Sequence, residues 1–244
     1  MCIDKLKAII ETSNNIVFFG GAGVSTESSI PDFRSQTGIY KTINNYSYDP
    51  EVMLSHSFFI NHPEDFFDFY KTKMIYIDAK PNNAHYALAK LEKLGKLKAV
   101  ITQNIDGLHQ AAGSKNVLEL HGSVHRNYCT KCGKKYELNY ILNSSSLIPR
   151  CEECNGVVRP DVVLYEEGLD SNVLEKSLNY IKNADVLIIG GTSLVVYPAA
   201  GLIQYYNGNK LILINKSSTP YDNRANLIFH NSISNILDEA VSDL

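Results

Sequence analysis

Two cysteine pairs, Cys129-x-x-Cys132 and Cys151-x-x-Cys154, constrain this chain more than any other feature. Eighteen residues lie between them, which is the spacing of a C-x2-C…C-x2-C zinc site. Four thiolates saturate a tetrahedral zinc and leave no place for water or substrate, so the predicted Zn2+ is structural. Gly133 and Gly156 stand where the turns of such knuckles need small residues. His125, just before Cys129, is then superfluous as a ligand and reads as a surface or interdomain histidine. Cys2 is left over as a free thiol. Four of five cysteines in metal-type pairs fit a reducing, cytoplasmic setting better than a disulfide framework.

Around this module the chain alternates short apolar runs with helical patterns. The runs are Ile16–Phe19, Lys98–Ile101, Val117–Leu120, Val186–Ile189, Leu211–Ile214 and Leu227–Phe229. Short, nearly uninterrupted apolar runs are the mark of strands covered on both faces. Asn82–Leu94 keeps Ala84, Ala87, Leu88, Leu91 and Leu94 on one helix face. Val173–Ile181 reads similarly, as does a helix starting at Pro198. The expected fold class is α/β: a Rossmann-type parallel sheet with helices on both faces, plus a small zinc-binding lobe formed by insertions. The boundaries expected are 1–28, 81–122 and 159–244 for the nucleotide-binding domain. A helical and loop module (29–80) and a zinc module (123–158) make the small lobe.

Bulk properties exclude some classes. A formal net charge of −3 does not favour a general grip on nucleic acid. Lys131, Lys134, Lys135 and Arg126 near the cysteines are offset by Glu137, Glu152 and Glu153. No apolar stretch of about 18 residues exists, so no membrane span is expected. Met1–Glu11 reads as an amphipathic first helix and not as a signal peptide.

Gly20-Gly21-Ala22-Gly23 follows the first apolar run, as a turn meeting a phosphate would. The dinucleotide fingerprint then requires a third small residue, but Thr26 stands there and Pro31 interferes with a long helix. An ordinary dehydrogenase is therefore disfavoured. Gly190-Gly191-Thr192-Ser193 and Asn215 follow two later strands. Three strand ends with small or polar residues point to one nucleotide-binding crevice.

Taken in order, these segments resemble one family. Gly21-Ala22-Gly23-Val24-Ser25 with Ile30-Pro31-Asp32-Phe33-Arg34 resembles the sirtuin NAD-binding loop. Gln103-Asn104-Ile105-Asp106-Gly107-Leu108-His109 and His121-Gly122 resemble its next signatures. The cysteine pairs, Arg159-Pro160-x-Val162-Val163, Gly191-Thr192-Ser193-Leu194 through Ala200, and Asn215 complete the likeness over nearly the whole chain.

The resemblance implies an NAD-dependent protein lysine deacetylase. Its products would be nicotinamide, O-acetyl-ADP-ribose and deacetylated protein, with NAD as co-substrate, one structural Zn2+ and nicotinamide also an inhibitor. It implies that the acetyl oxygen attacks the ribose carbon as nicotinamide leaves, and that His121 then acts as base on the ribose hydroxyls. An imidazole titrates near neutrality and suits that task. The other six histidines are expected to be structural.

Asn104 would support the ribose and its water, and Asp106 would grip the nicotinamide amide. Ala22, Gly23, Thr26, Asp32, Phe33, Arg34 and Tyr40 would fall in or beside the cofactor loop, with Phe33 shielding the reacting centre. Gln103 and Ile105 would join that surface. Gly191, Thr192, Ser193 and Asn215 would hold the adenosine half, and Ile233 would contact adenine. An acetylated protein or peptide would add as a strand, with Val163 accepting from the acyl-lysine amide and Tyr165 packing on its stem.

Two departures from the family pattern remove no catalytic group: Ser29 and Glu166 stand where glycine is usual. The acidic Glu166-Glu167 pair is expected to favour basic peptides mildly. Relatives that remove acidic acyl groups carry a Tyr-x-x-Arg pair. The corresponding Phe66-Phe67-Asp68-Phe69-Tyr70-Lys71 has no arginine, which predicts acetyl over succinyl. The competing readings are an ADP-ribosyltransferase on the same fold and a zinc-ribbon module binding nucleic acid or a partner with NAD as ligand. Neither a direct nucleic-acid nor a membrane partner is expected.

Overall fold

The structure is a computed structural model and describes residues 2–33, 35, 38–39 and 48–244. In chain order its first elements are α1 (Cys2–Thr12), β1 (Ile16–Gly20), α2 (Pro50–Met53), α3 (His56–Asn61), α4 (Pro63–Lys73) and α5 (Asn83–Lys93). Then come β2 (Leu97–Thr102), α6 (Leu108–Ala111), β3 (Val117–Glu119), β4 (Gly122–Cys129), β5 (Lys135–Glu137), α7 (Leu138–Leu142) and β6 (Val158–Val162). The chain continues through α8 (Ser171–Asn183), β7 (Val186–Gly190), β8 (Leu211–Ile214), β9 (Leu227–Phe229) and α9 (Ile233–Val241).

The six apolar runs form one parallel sheet in the order β3-β2-β1-β7-β8-β9. Alternate residues of each strand serve opposite faces. Ile16 and Phe18 pack with Leu6 and Ile10 of α1, Leu88 and Leu91 of α5, and Leu237 of α9. Val17 and Phe19 pack on the other side with Ile181, Leu202 and Ile203. All five residues of β1 are buried, as are all five of β7. Both faces are therefore covered, which is why the strands lack a polar alternation.

Asn82 fixes the start of α5. Its side chain accepts from Ala84 N–H while His85 closes the capping box. The same side chain donates to Val24 O at 2.8 Å and Ser28 Oγ at 3.0 Å, tying the turn after β1 to this helix. The segment after Pro198 differs from expectation: it winds as a 3-10 helix over Ala199–Tyr205. Gly201 at its centre weakens α-helical preference.

The small lobe joins two clusters. Phe58, Phe59, Phe66, Phe67, Phe69 and Tyr70 of α3 and α4 pack with Val124, Leu138, Val162 and Leu164. An antiparallel sheet, β5-β4-β6, carries the cysteine module. The 158/159 boundary coincides with the start of β6, and β6 pairs in this small sheet.

The chain changes direction in the large sheet at β1, whose neighbours are β2 and β7. Ligands bind at such switch points, beyond the carboxyl ends of the strands. The two turns there touch through backbone: Gly23 N–H donates to Gly191 O at 2.8 Å. A Cβ on Gly23 would lie 2.8 Å from Gly191 Cα, and one on Gly191 (φ +59°) would lie 2.4 Å from Val24 N. Gly191→Ala should therefore lower stability by about 2–4 kcal/mol through left-handed strain plus overpacking, readable by chemical denaturation.

Candidate active site

Backbone bonds stitch the strand ends into a floor. Gln103 N–H donates to Gly20 O, Gly191 N–H to Ile214 O and Asn215 N–H to Phe229 O, at 3.0, 3.1 and 3.0 Å. Over this floor opens a cleft of about 980 Å3 between the sheet edge and the small lobe. That is the upper end of the volume range of small-molecule sites. Ala22, Gly23, Thr26, Asp32, Phe33, Gln103, Asn104, Ile105, Asp106, His121, Gly191, Thr192, Ser193, Asn215 and Ile233 all line it, with Val163 and Tyr165. Arg34 and Tyr40 lie outside the described residues.

The polar centre is a chain of side chains. Asn104, buried after β2, donates to Ser25 Oγ at 3.1 Å, and Ser25 donates to Asp106 Oδ2 at 2.7 Å. Leu108 N–H donates to Asp106 Oδ1 at 2.9 Å. Burial pushes the Asp106 carboxyl above the usual range, against the pull of those two donors. Ser25 escaped the sequence-level site assignment. A polar residue in the turn after the first strand was its only trace, and its tie to Asn104 and Asp106 is long-range. Gln103 also reaches across the switch point, Nε2 to Thr192 Oγ1, at 3.3 Å.

His121 leaves the end of β3 and lines the cleft. Its Nδ1 is 3.0 Å from Gln103 O. A carbonyl only accepts, so Nδ1 carries the proton and Nε2 the lone pair. Burial lowers the His121 pKa, partly opposed by that carbonyl, so the ring is neutral at pH 7. Gly122 makes the placement possible: at φ +76° it brings β4 against β6, and a Cβ there would lie 1.9 Å from Asp161 O. His85 and His109 stack edge-on at 4.7 Å in the core, where burial drives them down to about 4 and about 3. His125 is exposed but also lines the cleft, its Nε2 lying 3.0 Å from Asp106 O.

Not every expected contact is aimed at the cleft. The Asn215 amide donates to Ser217 O at 2.7 Å, holding its own turn. Ile233 packs behind Gly190, where a Cβ would lie 2.1 Å from its Cδ1. Val163 N–H donates to His121 O at 3.0 Å. Tyr165 is tied by backbone to the small lobe, donating to Leu54 O and accepting from His56 N–H, both at 3.0 Å.

The four cysteine sulfurs lie within 4.8 Å of one another, with Cys129–Cys154 at 3.4 Å and Cys132–Cys151 at 3.6 Å. Tetrahedral zinc with bonds of about 2.3 Å needs sulfur edges of about 3.8 Å, so the set fits the ion. Tyr136 donates to Cys151 Sγ at 3.0 Å from the surrounding shell.

The Sir2 family model matches residues 21–198. The chain belongs to the Sir2 family. It is 66% identical over 239 residues to an NAD-dependent protein deacetylase of Clostridium acetobutylicum, covering 98% of both chains. It is 67% identical over 240 residues to one of Clostridium tetani, covering 98% of this chain and 97% of the relative. Among solved structures, a Sir2 with a deacetylated p53 peptide and 3′-O-acetyl ADP ribose superposes with a TM-score of 0.90. It is 40% identical and covers 100% of this chain and 98% of that one. Sir2Tm bound to a propionylated peptide gives a TM-score of 0.88 at 38% identity, with the same coverage.

This Sir2 chain departs from the glycine pattern at two positions with positive φ. Ser29 (φ +63°) and Glu166 (φ +76°) both sit in the left-handed region, which costs a residue with a Cβ about 1–2 kcal/mol. Glu166 offsets this by accepting from Ser57 N–H at 2.8 Å and Ser57 Oγ at 2.9 Å. Glu167 is engaged inward. Arg159 donates to it at 2.7 and 3.1 Å, Leu164 N–H at 2.9 Å, and His56 Nδ1 lies 2.8 Å away. Burial raises the Glu167 carboxyl, but these partners outweigh it and hold it below the usual range. Of the Glu166-Glu167 pair, Glu166 is exposed and Glu167 is half-buried.

Zinc should be stoichiometric, one per chain, and its removal with a strong chelator should lower the melting temperature and abolish turnover together. Metal analysis and thermal denaturation on the same sample check this.

Proposed function

We propose that this Sir2 chain is an NAD-dependent protein deacetylase. It removes acetyl groups from lysine side chains and yields nicotinamide, O-acetyl-ADP-ribose and the deacetylated protein. The observation that carries the reading is His121, held through Nδ1 by Gln103 O, beside the Asn104–Ser25–Asp106 chain in one cleft. The curated relatives, 66% and 67% identical over nearly their whole lengths, carry the same activity in their names.

NAD supplies a ribose carbon bearing a cationic leaving group, which makes a catalytic metal unnecessary and agrees with a saturated zinc. The facing glycine turns fit it, because they line the cleft at the switch point with backbone and small residues. Ala22, Gly23, Thr26, Asp32, Phe33, Arg34 and Tyr40 would surround it on the loop side. Gly191, Thr192, Ser193, Asn215 and Ile233 would take the adenosine half. Asp106 would grip the carboxamide, positioned by Ser25. Asn104 would hold the ribose and its water, and His121 Nε2 would take the proton from a ribose hydroxyl.

The acetylated peptide would lie as an added strand along Val163, with the Tyr165 ring on the lysine stem. Nicotinamide would be both product and inhibitor. We assign the protein to the cytoplasm, consistent with its free-thiol chemistry. Among the described residues no helix is long and apolar enough to cross a membrane. A nucleic-acid role is not favoured. Lys134 is paired with Glu152 and Glu153, and Arg126 with Glu119 and Asp161. We keep the division into a nucleotide-binding domain (1–28, 81–122 and 159–244) and two small-lobe modules (29–80 and 123–158).

Mass spectrometry of an acetyl-lysine peptide with and without NAD tests this. Acetyl loss with release of nicotinamide and O-acetyl-ADP-ribose, and its loss in His121→Ala by at least about a hundredfold, is expected. ADP-ribose on protein with the peptide untouched would mean a transferase instead. Because the base must be neutral and burial lowers its pKa, kcat/KM should fall only on acidification below the ordinary histidine value of about 6.5. A pH–rate profile with its acid limb above that value would contradict the assignment. A succinyl-lysine peptide should be cleaved more slowly than its acetyl counterpart.

A further inference from the structure

Among the described residues two histidines line the cleft, His121 and His125, and the chemistry proposed above uses only the first. His125 stands outside every segment that carries the family resemblance. The four cysteine sulfurs already complete the zinc set, so it is not needed as a ligand.

The strand that carries His125, β4, holds the turn of Asp106 at two consecutive carbonyls. Val124 N–H donates to Ile105 O at 3.0 Å, and His125 Nε2 lies 3.0 Å from Asp106 O. A carbonyl only accepts, so Nε2 carries the proton and donates. The next residue, Gly107, leaves room for the ring: at φ +74° a Cβ there would lie 2.7 Å from His125 Cδ2 and 2.9 Å from Nε2. The ring is thus seated on Gly107 and bonded to Asp106, fixing the Asp106 main chain from the side of β4. Leu108 N–H and Ser25 Oγ fix the Asp106 carboxylate from the other side. A polar group that grips a ligand does so well only when its own support is rigid. Asp106 has that support at both its carboxylate and its carbonyl.

We infer that His125 is a positioning residue for the nicotinamide end of NAD, acting through Asp106. This rests on the reading that Asp106 grips the nicotinamide carboxamide, and it adds a residue to that reading. Because β4 belongs to the small antiparallel sheet, nicotinamide capture then depends on how that sheet is seated against the turn after β2.

Calorimetric titration of NAD and of ADP-ribose into the zinc-loaded protein tests this, because ADP-ribose lacks the nicotinamide. The proteins compared are wild type, His125→Leu, His125→Gln and Asp106→Asn. We expect Kd for NAD to rise about three- to tenfold in His125→Leu, the worth of one net hydrogen bond, with Kd for ADP-ribose unchanged. His125→Gln keeps an N–H donor and should recover most of that loss. On an acetyl-lysine peptide the same factor should appear in KM for NAD and not in KM for the peptide. Equal weakening of both ligands, no weakening of either, or a His125→Gln variant as weak as His125→Leu overturns the inference. If Asp106→Asn weakens NAD selectively and His125→Leu does not, Asp106 keeps its role and His125 loses the one inferred. If Asp106→Asn leaves NAD unchanged as well, the carboxamide reading itself fails and this inference with it.

Discussion

The contact between the turns after β1 and β7 governs the rest of the molecule. Gly23 donates to Gly191 O at 2.8 Å, closer than any side chain would permit. The contact sits at the switch point of the parallel sheet, where the connections of the two halves leave in opposite directions. Because glycines meet at this joint, the turns can seat a ligand on backbone at the mouth of the cleft. Asn82 holds the first turn from α5, and Gln103 and Thr192 brace the other side. The Asn104–Ser25–Asp106 chain and His121 are placed relative to this joint, since each leaves a strand end fixed by the same sheet.

The second lobe is held by different physics. Its aromatic cluster supplies apolar burial, while the cysteine tetrahedron closes a module whose own core is small. Arg159 links the parts: it pairs with Glu167, donates to Val162 O and lies over the Phe59 ring at 5.1 Å. A buried pair of this kind gives little net stability over an apolar replacement, but losing one partner leaves an uncompensated charge. It keeps the segment from Val162 to Glu167 against α3, along the edge where a peptide would bind. The zinc takes no part in the chemistry proposed for the cleft, and its work is to hold that edge in place.

Much of this was legible in the residues. The six apolar runs became the six parallel strands, because strands buried on both faces cannot be polar on either. The cysteine spacing predicted a tetrahedron that the sulfur positions fit. The α5 helix and its cap at Asn82 followed from apolar period and capping chemistry. The Pro198 segment was harder, since a glycine among good helix formers shifts a marginal balance. Ser25 and Glu167 were not legible in their roles. Each depends on partners that only long-range packing sets.

The sequence by itself determined the layer architecture, the metal and the set of polar residues at strand ends. These depend on local periodicity, ligand spacing and turn chemistry, which a linear chain carries in full. Only the tertiary structure decided which carboxylate at the cleft is exposed and which is matched by Arg159. It also decided which histidine keeps a lone pair over the cleft. Burial and hydrogen bonding between distant segments set those properties, and neither exists until the chain has folded.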